Sequence, residues 1–446
     1  MKKPLKPKPM DVLVKKYMDR VGAIVAAGGF EVAPGGIYRH WDKLRHLAPP
    51  DGLTNEEWWV GVKFARAPLQ KNLPLKDAAG KHFSYCMPDM VIEMLHKIDH
   101  KAGGRIELPE EVTNPDTRDR YIFKSLIEEA ITSSQLEGAS TTRKVAADML
   151  RTKRRPRDKS EQMIFNNFDA INYIRGRKEE KLSPQFVLEL HEMLTRDTLD
   201  DPRAAGRLQA PGDERVYVAD NKTQEILHQP PPAQQLEQRL QDMCDFANDD
   251  GGGFIHPIVR AVVLHFWLAY DHPFEDGNGR TARALFYWKM LADGYWLFEY
   301  VSISRILKKA SAQYGRSYLY TESDENDMTY FIIYQLQVMV RAIEDLEKYL
   351  QKKIGELRGV EARLKHYGDF NHRQMALLGH ALRHSAAEYT VKSHQTSHGV
   401  AYGTAYSDLA ELVEKELLIQ SRKGRKELIF YPANDINEVI EGIGSA

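Results

Sequence analysis

Three things are scarce in this sequence: cysteine, net charge and long apolar runs. Its 446 residues include two cysteines, Cys86 and Cys244, which excludes a disulfide framework or a cysteine-rich zinc site and favours a reducing compartment. Lysine plus arginine number 62 and aspartate plus glutamate 63, so the overall charge favours neither nucleic acid nor membrane as a partner. No apolar run reaches the length of a membrane-spanning helix, and the N-terminal MKKPLKPKP lacks the apolar core of a secretory signal. We therefore expect a cytoplasmic protein with no membrane partner.

The length predicts two or three domains. Residues 1–86 carry aromatic clusters broken by Pro and Gly, which predict an N-terminal extension or small module with a disordered start. Helical spacing dominates residues 87–355, and the charged segment 353–365 reads as a linker or a helix extension. Residues 366–446 predict three short helices and then two strands around the basic turn 422–426, the order of a winged helix-turn-helix. The fold class is therefore mainly α, with a small hairpin in the core.

Three local patterns within the core bear on the site. Continuous helical periodicity covers roughly 117–150 and 302–320. Between the helical stretches, Val216-Tyr217-Val218 and Glu225-Ile226-Leu227 predict two short strands around a turn at Asn221-Lys222.

The most informative stretch is DHPFEDGNGRTAR, residues 271–283. Gly277 and Gly279 let the backbone come close to a ligand, and a helix starting near Arg280 would direct free N–H groups and a positive dipole end towards an anion. Arg280 and Arg283 supply guanidinium groups suited to phosphate oxygens, and Asn278 adds a further donor. Taken alone, DGNG is typical of a tight surface turn, but the full spacing predicts a phosphate site.

A base and a metal ligand accompany this phosphate site. Asp276 is a hard oxygen ligand suited to Mg²⁺ on a polyphosphate. His272 titrates near neutral pH and can act as a general base towards a hydroxyl. The combination favours phosphoryl or nucleotidyl transfer, in which positioning and charge neutralisation supply most of the catalysis.

The stretch resembles the signature of the Fic family, His-Pro-Phe-x-(Asp/Glu)-Gly-Asn-(Gly/Lys)-Arg-x-x-Arg, at every specified position. The resemblance implies a Fic-type helical core that transfers AMP from Mg-ATP to a Ser, Thr or Tyr hydroxyl of a target protein. It implies that His272 is the base and that Asp276 binds the metal. It further implies that Asn278, with the backbone of Gly277 and Gly279, cradles the α- and β-phosphates. Arg280 and Arg283 would hold the outer phosphates, and Val216, Tyr217 and Val218 would belong to the flap that binds the target segment.

A second pattern lies upstream, in YIFKSLIEEAITSSQLEGAS at residues 121–140. Ile122, Leu126, Ala130, Ser133 and Glu137 follow one another at steps of four, four, three and four residues and share one helix face. A glutamate that continues a buried face needs a cationic partner, and arginine is the natural one. On its own, a glutamate at a helix end is usually solvated.

Beside the first motif, Ser133-x-x-x-Glu137-Gly138 resembles the Fic inhibitory motif, (Ser/Thr)-x-x-x-Glu-(Gly/Asn), in its N-terminal class. That resemblance implies that Glu137 pairs with Arg283 and blocks the seat of the ATP γ-phosphate, so that the resting enzyme is largely off. Removal of AMP from modified targets, or transfer of another nucleotide, is an alternative activity.

The predicted winged helix leaves a different class of function open. Four basic residues in the five positions 422–426 could neutralise DNA phosphates. Asp408, Glu411, Glu414 and Glu416 make the preceding helix acidic, which argues against tight groove binding and leaves a protein-interaction or homodimer role open. The chain could thus be a DNA-binding regulator whose Fic core senses nucleotide.

Overall fold

The structure is a computed structural model that describes residues 3–103, 115–152, 154–219, 224–248, 253–366, 370–383, 387–423, 427–433 and 435–443. The backbone divides into two compact units, one formed by Met1–Ile106 with Lys124–Ile343, the other by Glu107–Phe123 with Glu344–Ala446. Of the helices in these ranges, none combines the length and apolarity needed to cross a bilayer.

The predicted mainly helical fold is confirmed. Up to residue 366 the helices are Met10–Tyr17, Val21–Ala26, Trp41–Leu44, Asn55–Arg66, Asp89–Ile98, Pro115–Leu136, Arg143–Thr152, Lys159–Gly176, Pro184–Thr195, Leu236–Ala247, Pro257–Asp271, Asn278–Ala292, Ile303–Lys309, Ser311–Ser323 and Thr329–His366.

Two predicted helices are broken where the sequence pattern runs on. The 117–150 pattern ends at Leu136 and resumes at Arg143, because Gly138 takes φ +96° and the amide of Ala139 turns back to Ser134 O at 3.1 Å. The 302–320 pattern is interrupted at Ala310. Apolar periodicity continues across both breaks, so it did not reveal them. The side chain of Ile122, predicted on the helix stripe, lies outside the described residues.

Two antiparallel hairpins belong to the first unit. Lys71–Lys76 pairs with His82–Tyr85, and Val218–Ala219 pairs with Ile226–His228. The second hairpin lies where the flap was predicted, but its strands begin later. Val216 and Tyr217 precede the first strand. In so short a ladder, the ends of the strands are set by the pairing of Val218 with His228 and not by the apolar pattern. The predicted Asn221-Lys222 turn lies outside the described residues.

The N-terminal segment packs on the chain that follows helix Ser311–Ser323. Lys63 donates to Asp324 at 2.9 Å, and Arg66 donates to the Tyr330 hydroxyl at 2.9 Å. All four residues are buried. Leu5, which lies in the stretch predicted to be disordered, donates its amide to Asp42 at 2.9 Å. These contacts join residues far apart in sequence, which local composition does not reveal.

The second unit contains a small three-stranded sheet and four short helices. Its core centres on Leu378, Leu409, Leu412 and Phe430. The sheet order is Tyr389–Thr390, Glu427–Pro432, Leu418–Lys423, and the helices are His372–Arg383, Val391–His398, Tyr402–Glu414 and Ile436–Ile443. The centre of the basic turn, residues 424–426, lies outside the described residues.

One of the acidic residues counted on helix Tyr402–Glu414 faces inward. Asp408 is 4% exposed and accepts hydrogen bonds from Arg373 at 2.7 Å, Asn371 at 2.7 Å and His394 at 3.1 Å. Burial opposes its charge, but these donors lower the pKa of Asp408 to about 2. Asp408 therefore adds no negative charge to the helix surface.

Candidate active site

His272 ends the buried helix Pro257–Asp271 in a left-handed conformation, with φ 45° and ψ 54°. Its amide donates to Leu268 O at 3.0 Å, and its Nδ1 lies 3.3 Å from Ala269 O. A proton on Nδ1 satisfies that carbonyl and leaves the lone pair of Nε2 free. Burial is the main cause that lowers the pKa of His272 to about 4, so the ring is neutral at neutral pH.

The loop after His272 is closed by Asn278. The Asn278 side chain accepts from the Phe274 amide at 2.9 Å and donates to the Phe274 carbonyl at 2.8 Å. Phe274 is fully buried. The side chain of Asn278 thus shapes the loop, and its backbone begins the helix Asn278–Ala292.

A second histidine, His191, supports this loop from helix Pro184–Thr195. Its ring stacks on Phe274 with centroids 3.7 Å apart, its Nε2 donates to Asp276 O at 2.8 Å, and its Nδ1 accepts from the Gly206 amide at 3.0 Å. Burial lowers the pKa of His191 to about 4, which keeps the ring neutral. His191 was not predicted from the sequence, where a lone histidine on an apolar helix face is the only signal of it.

The two motif glycines occupy positions where a side chain would collide. Gly277 has φ +82°, and a Cβ there would lie 2.6 Å from Thr195 Cγ2. A Cβ on Gly279 would lie 2.9 Å from Glu137 Cδ and 3.1 Å from Arg283 Nη1. A side chain at Gly279 would therefore collide with the carboxylate of Glu137.

Arg280 and Asp276 form the outer side of the turn. Arg280 is fully buried and donates to Leu194 O at 2.9 Å and to Asp276 Oδ2 at 3.3 Å. The side chain of Asp276 is 52% exposed. Arg280 thus anchors the turn to helix Pro184–Thr195, while Asp276 keeps a carboxylate in contact with solvent.

Arg283 is held by the helix Pro115–Leu136 and the residue that follows it. Its Nε donates to Ser133 Oγ, and its Nη2 donates to Ser133 O and to Glu137 Oε1, all at 2.9 Å. Arg283 is 2% exposed. Because Glu137 also lies against Gly279, its carboxylate lies beside the first turn of helix Asn278–Ala292, where the helix dipole and free N–H groups favour an anion.

A cleft of about 250 Å³ lies beside this turn. Among the predicted residues, His272, Gly279, Arg283, Glu137 and Val218 line it. Gly277, Asn278 and Arg280 build the turn, Ser133 lies behind Arg283, and Gly138 ends the helix segment. Val216 and Tyr217 do not line the cleft. The other lining residues are Leu227, His228, Ala269, Tyr270, Tyr314, Gly315, Tyr318, Leu319 and Glu322.

Two tyrosines to which the sequence assigned no role belong to this cleft. Tyr314 and Tyr318 are hydrogen-bonded to each other at 3.1 Å, and the fully buried His265 contacts the Tyr314 hydroxyl at 2.8 Å. His265 is thus a packed histidine that supports one wall of the cleft.

Comparison with known proteins shows similarity to proteins named Fic. Residues 181–290 match the Fic/DOC family. The chain is 28% identical over 199 residues to the protein adenylyltransferase Fic of Nematostella vectensis, a match that covers 43% of each protein. It is 33% identical over 120 residues to protein adenylyltransferase fic-1 of Caenorhabditis elegans, covering 27% of this chain and 21% of that protein. These matches span less than half the length of the relatives.

A solved structure extends the likeness in fold. A Fic family protein from Desulfovibrio desulfuricans G20 superposes with a TM-score of 0.50 at 18% identity, covering 78% of this chain and 98% of the other. The family match includes the hairpin and residues 271–283 but not residues 133–138. Residues 181–290 therefore resemble the Fic/DOC family, and the chain is related to the protein adenylyltransferases named Fic.

Proposed function

We propose that this protein transfers AMP from Mg-ATP to a hydroxyl side chain of a target protein. The observation that carries the proposal is the cleft in which a neutral His272 faces the same space as Arg283 and the first turn of helix Asn278–Ala292. The adenylyltransferase relatives support the same chemistry.

His272 would act as the general base. With Nδ1 donating to Ala269 O, Nε2 accepts the proton of the target hydroxyl as its oxygen attacks the α-phosphorus. A bond forms between that oxygen and phosphorus, and the bond to the departing pyrophosphate breaks. A base that is already neutral needs no prior deprotonation.

The residues fit a magnesium ion. Mg²⁺ in nucleotide sites takes one or two carboxylates and completes its shell with phosphates and water. Asp276 supplies one solvent-accessible carboxylate, and the described residues include no group of three or more metal-type side chains. When bound, the metal would neutralise phosphate charge, while Arg280 and Asp276 hold the turn in place.

The hairpin would receive the target segment. Tyr217, Val218 and Ile226 are 42%, 36% and 47% exposed and form an exposed apolar edge. An extended segment could add to this short ladder through backbone hydrogen bonds, which suits targets of varied sequence.

Glu137 would keep the resting enzyme off. Its carboxylate pairs with Arg283 and lies at the helix start, so an ATP phosphate and Glu137 compete for one anion site. Because Glu137 and His272 share the cleft, the same pair could also activate water, which favours removal of AMP as the alternative activity.

The test is incubation with ATP labelled at the α-phosphate. We expect weak label transfer to protein by the wild type, at least about tenfold more by Glu137→Gly, and a loss of about 10²–10⁴-fold on adding His272→Ala. An unchanged or lower rate in Glu137→Gly would exclude autoinhibition. Incubating labelled target with each variant then measures removal of AMP.

The second candidate is the DNA-binding regulator. It is favoured by the inward position of Asp408, which removes one of the negative charges that argued against groove binding. Absence of transfer even in Glu137→Gly, together with sequence-specific and salt-sensitive retention of duplex DNA, would support this function instead.

A further inference from the structure

The two ends of the hairpin each carry a side chain that reaches the end of helix Pro257–Asp271. Arg215, three residues before the first strand, donates to Asp271 O at 2.8 Å and to His272 O at 3.2 Å. His228, the last residue of the second strand, has Nε2 2.7 Å from Tyr270 O. Three consecutive carbonyls are thus bound from the hairpin.

These carbonyls are the groups that a helix end leaves unsatisfied. The last carbonyls of a helix have no partner within it and carry the negative end of its dipole, so cationic donors suit them. The third carbonyl belongs to His272, whose left-handed backbone is unfavourable for a histidine and persists only if its surroundings hold it. Arg215 supplies that hold directly.

Arg215 and His228 each make further contacts that fix the position of the side chain. Arg215 Nε donates to Pro231 O at 3.0 Å, and its Nη1 also contacts Gln209 Oε1. His228 Nδ1 lies 2.8 Å from a carboxylate oxygen of Glu322. Arg215 therefore links both ends of the hairpin, residues 215 and 231, to the catalytic turn.

His228 faces an acceptor at each ring nitrogen, which favours the imidazolium. Burial lowers its pKa, but the hydrogen bond and charge of Glu322 outweigh burial, so the pKa of His228 lies above its ordinary value. Other charged or titratable groups around it are Asp271, with its partner Arg239, and Tyr270. A cation at this end of the hairpin matches the negative end of the helix.

We propose that Arg215 and His228 are positioning residues that couple the hairpin to His272. Because the hairpin that would receive an extended target is bound to the carbonyls beside the base, these contacts fix the position of His272 relative to a seated target. This inference rests on the proposed transferase function and on the hairpin as the target site.

The kinetic test uses Glu137→Gly as the parent, so that transfer is measurable. Arg215→Gln is expected to lower kcat at least about tenfold, because a misplaced base loses general-base catalysis, while the Kd for ATP changes less than about twofold. Arg215→Lys should recover part of kcat, since a lysine keeps the positive charge and N–H donors but lacks the planar guanidinium that meets two carbonyls in a fixed geometry. His228→Ala should lower kcat less, because Arg215 still holds two of the three carbonyls.

Arg207→Gln is the matched control. Arg207 lies in the same segment, is half-exposed, and pairs with Asp213 rather than the catalytic turn, so kcat and Tm should stay unchanged. An unaltered kcat in Arg215→Gln would overturn the proposal. A parallel fall of kcat, Tm and ATP affinity in both Arg215 variants would also overturn it, because it would show a general structural role.

A second readout does not depend on activity. In ¹³C-histidine-labelled protein, the His272 signal is assigned by its loss in His272→Ala and titrated. The positive charge of Arg215 helps to lower the pKa of His272, so Arg215→Gln should raise that pKa, and Arg207→Gln should not. If the Glu137→Gly parent transfers no label, the proposed function fails, while this titration still decides whether Arg215 acts on His272; an unmoved pKa refutes it.

Discussion

Glu129 and Glu137 lie on the same segment, one inside helix Pro115–Leu136 and one just past its end, yet their surroundings differ. Glu129 is 4% exposed and accepts from Tyr287 OH at 2.9 Å, Ser302 Oγ at 2.8 Å and the Ser304 amide at 3.1 Å. The side chain of Glu137 is 29% exposed, and its described hydrogen bond is the one from Arg283.

Glu129 is a structural carboxylate, whereas Glu137 is the one that we propose a competing anion displaces. Burial raises the pKa of Glu129 although its donors act against burial, and removing it would leave several buried donors unsatisfied. Glu137 faces the cleft with one described hydrogen-bond partner, which is the arrangement that the proposed competition with an ATP phosphate requires.

The largest expected effect is on stability. Glu129→Ala should lower the free energy of unfolding by about 3 kcal/mol or more, because it leaves buried donors unpaired. Glu137→Ala should cost less than about 1 kcal/mol, the range of a partly exposed ion pair. Urea unfolding followed by circular dichroism measures both, and equal losses in the two variants would contradict the distinction.

A smaller effect is expected on the rate of AMP transfer. Ser133→Ala removes the hydrogen bond between Ser133 Oγ and Arg283 but keeps the one to the Ser133 carbonyl. Losing one such bond is worth about 1 kcal/mol, so labelled transfer should rise about two- to fivefold, less than in Glu137→Gly.

The neighbouring serine provides the matched control for that rate. Ser134 Oγ donates to Met163 O at 3.1 Å and has no described bond to Arg283, so Ser134→Ala should leave transfer unchanged. A rise in Ser134→Ala equal to that in Ser133→Ala would show general loosening of the helix rather than release of Arg283.

The smallest effect concerns pH. Because the pKa of His272 is lowered from 6.5 to about 4, the base stays neutral in the folded enzyme above about pH 5. The rate of AMP transfer by Glu137→Gly should therefore not fall through protonation of His272 between pH 8 and 6. Loss of the nearby Glu137 carboxylate lowers the pKa of His272 further. An acid limb near pH 6.5 that Glu137→Gly retains would contradict the buried state of His272.

The lowered pKa of His272 also predicts the direction in which stability changes with pH. The unfolded chain takes up a proton on His272 near pH 6.5, while the folded chain resists until about pH 4. Stability due to this group is thus lost as pH falls through that window, by up to about 1.4 kcal/mol per pH unit. Thermal unfolding of His272→Ala should show a shallower fall of Tm over the same window.

Much of the site could be predicted from sequence because its key residues lie close together in the chain. The glycines, the arginines and His272 fall within residues 271–283, where spacing alone brings them into one turn. The partner of Arg283 was also predictable, since Glu137 continued a helix face that had to meet a cation. The structure contains that pair at 2.9 Å.

The supporting residues could not be predicted in this way. His191, Arg215 and Glu129 act on the site from helices and loops distant in sequence, and each alone is an ordinary histidine, arginine or glutamate. Their roles depend on which backbone groups lie opposite them. The breaks after Leu136 and at Ala310, and the later start of the hairpin, likewise depend on local backbone geometry that apolar periodicity does not encode.

The sequence by itself thus determined the chemistry of the site, because a short spaced motif fixes which groups can share one turn. Only the tertiary structure decided how that turn is held, with His191 under the loop and Arg215 and His228 on the helix carbonyls. The physical reason is that burial and hydrogen-bond partners are properties of surroundings, and the surroundings of each of these residues come from segments brought together by folding.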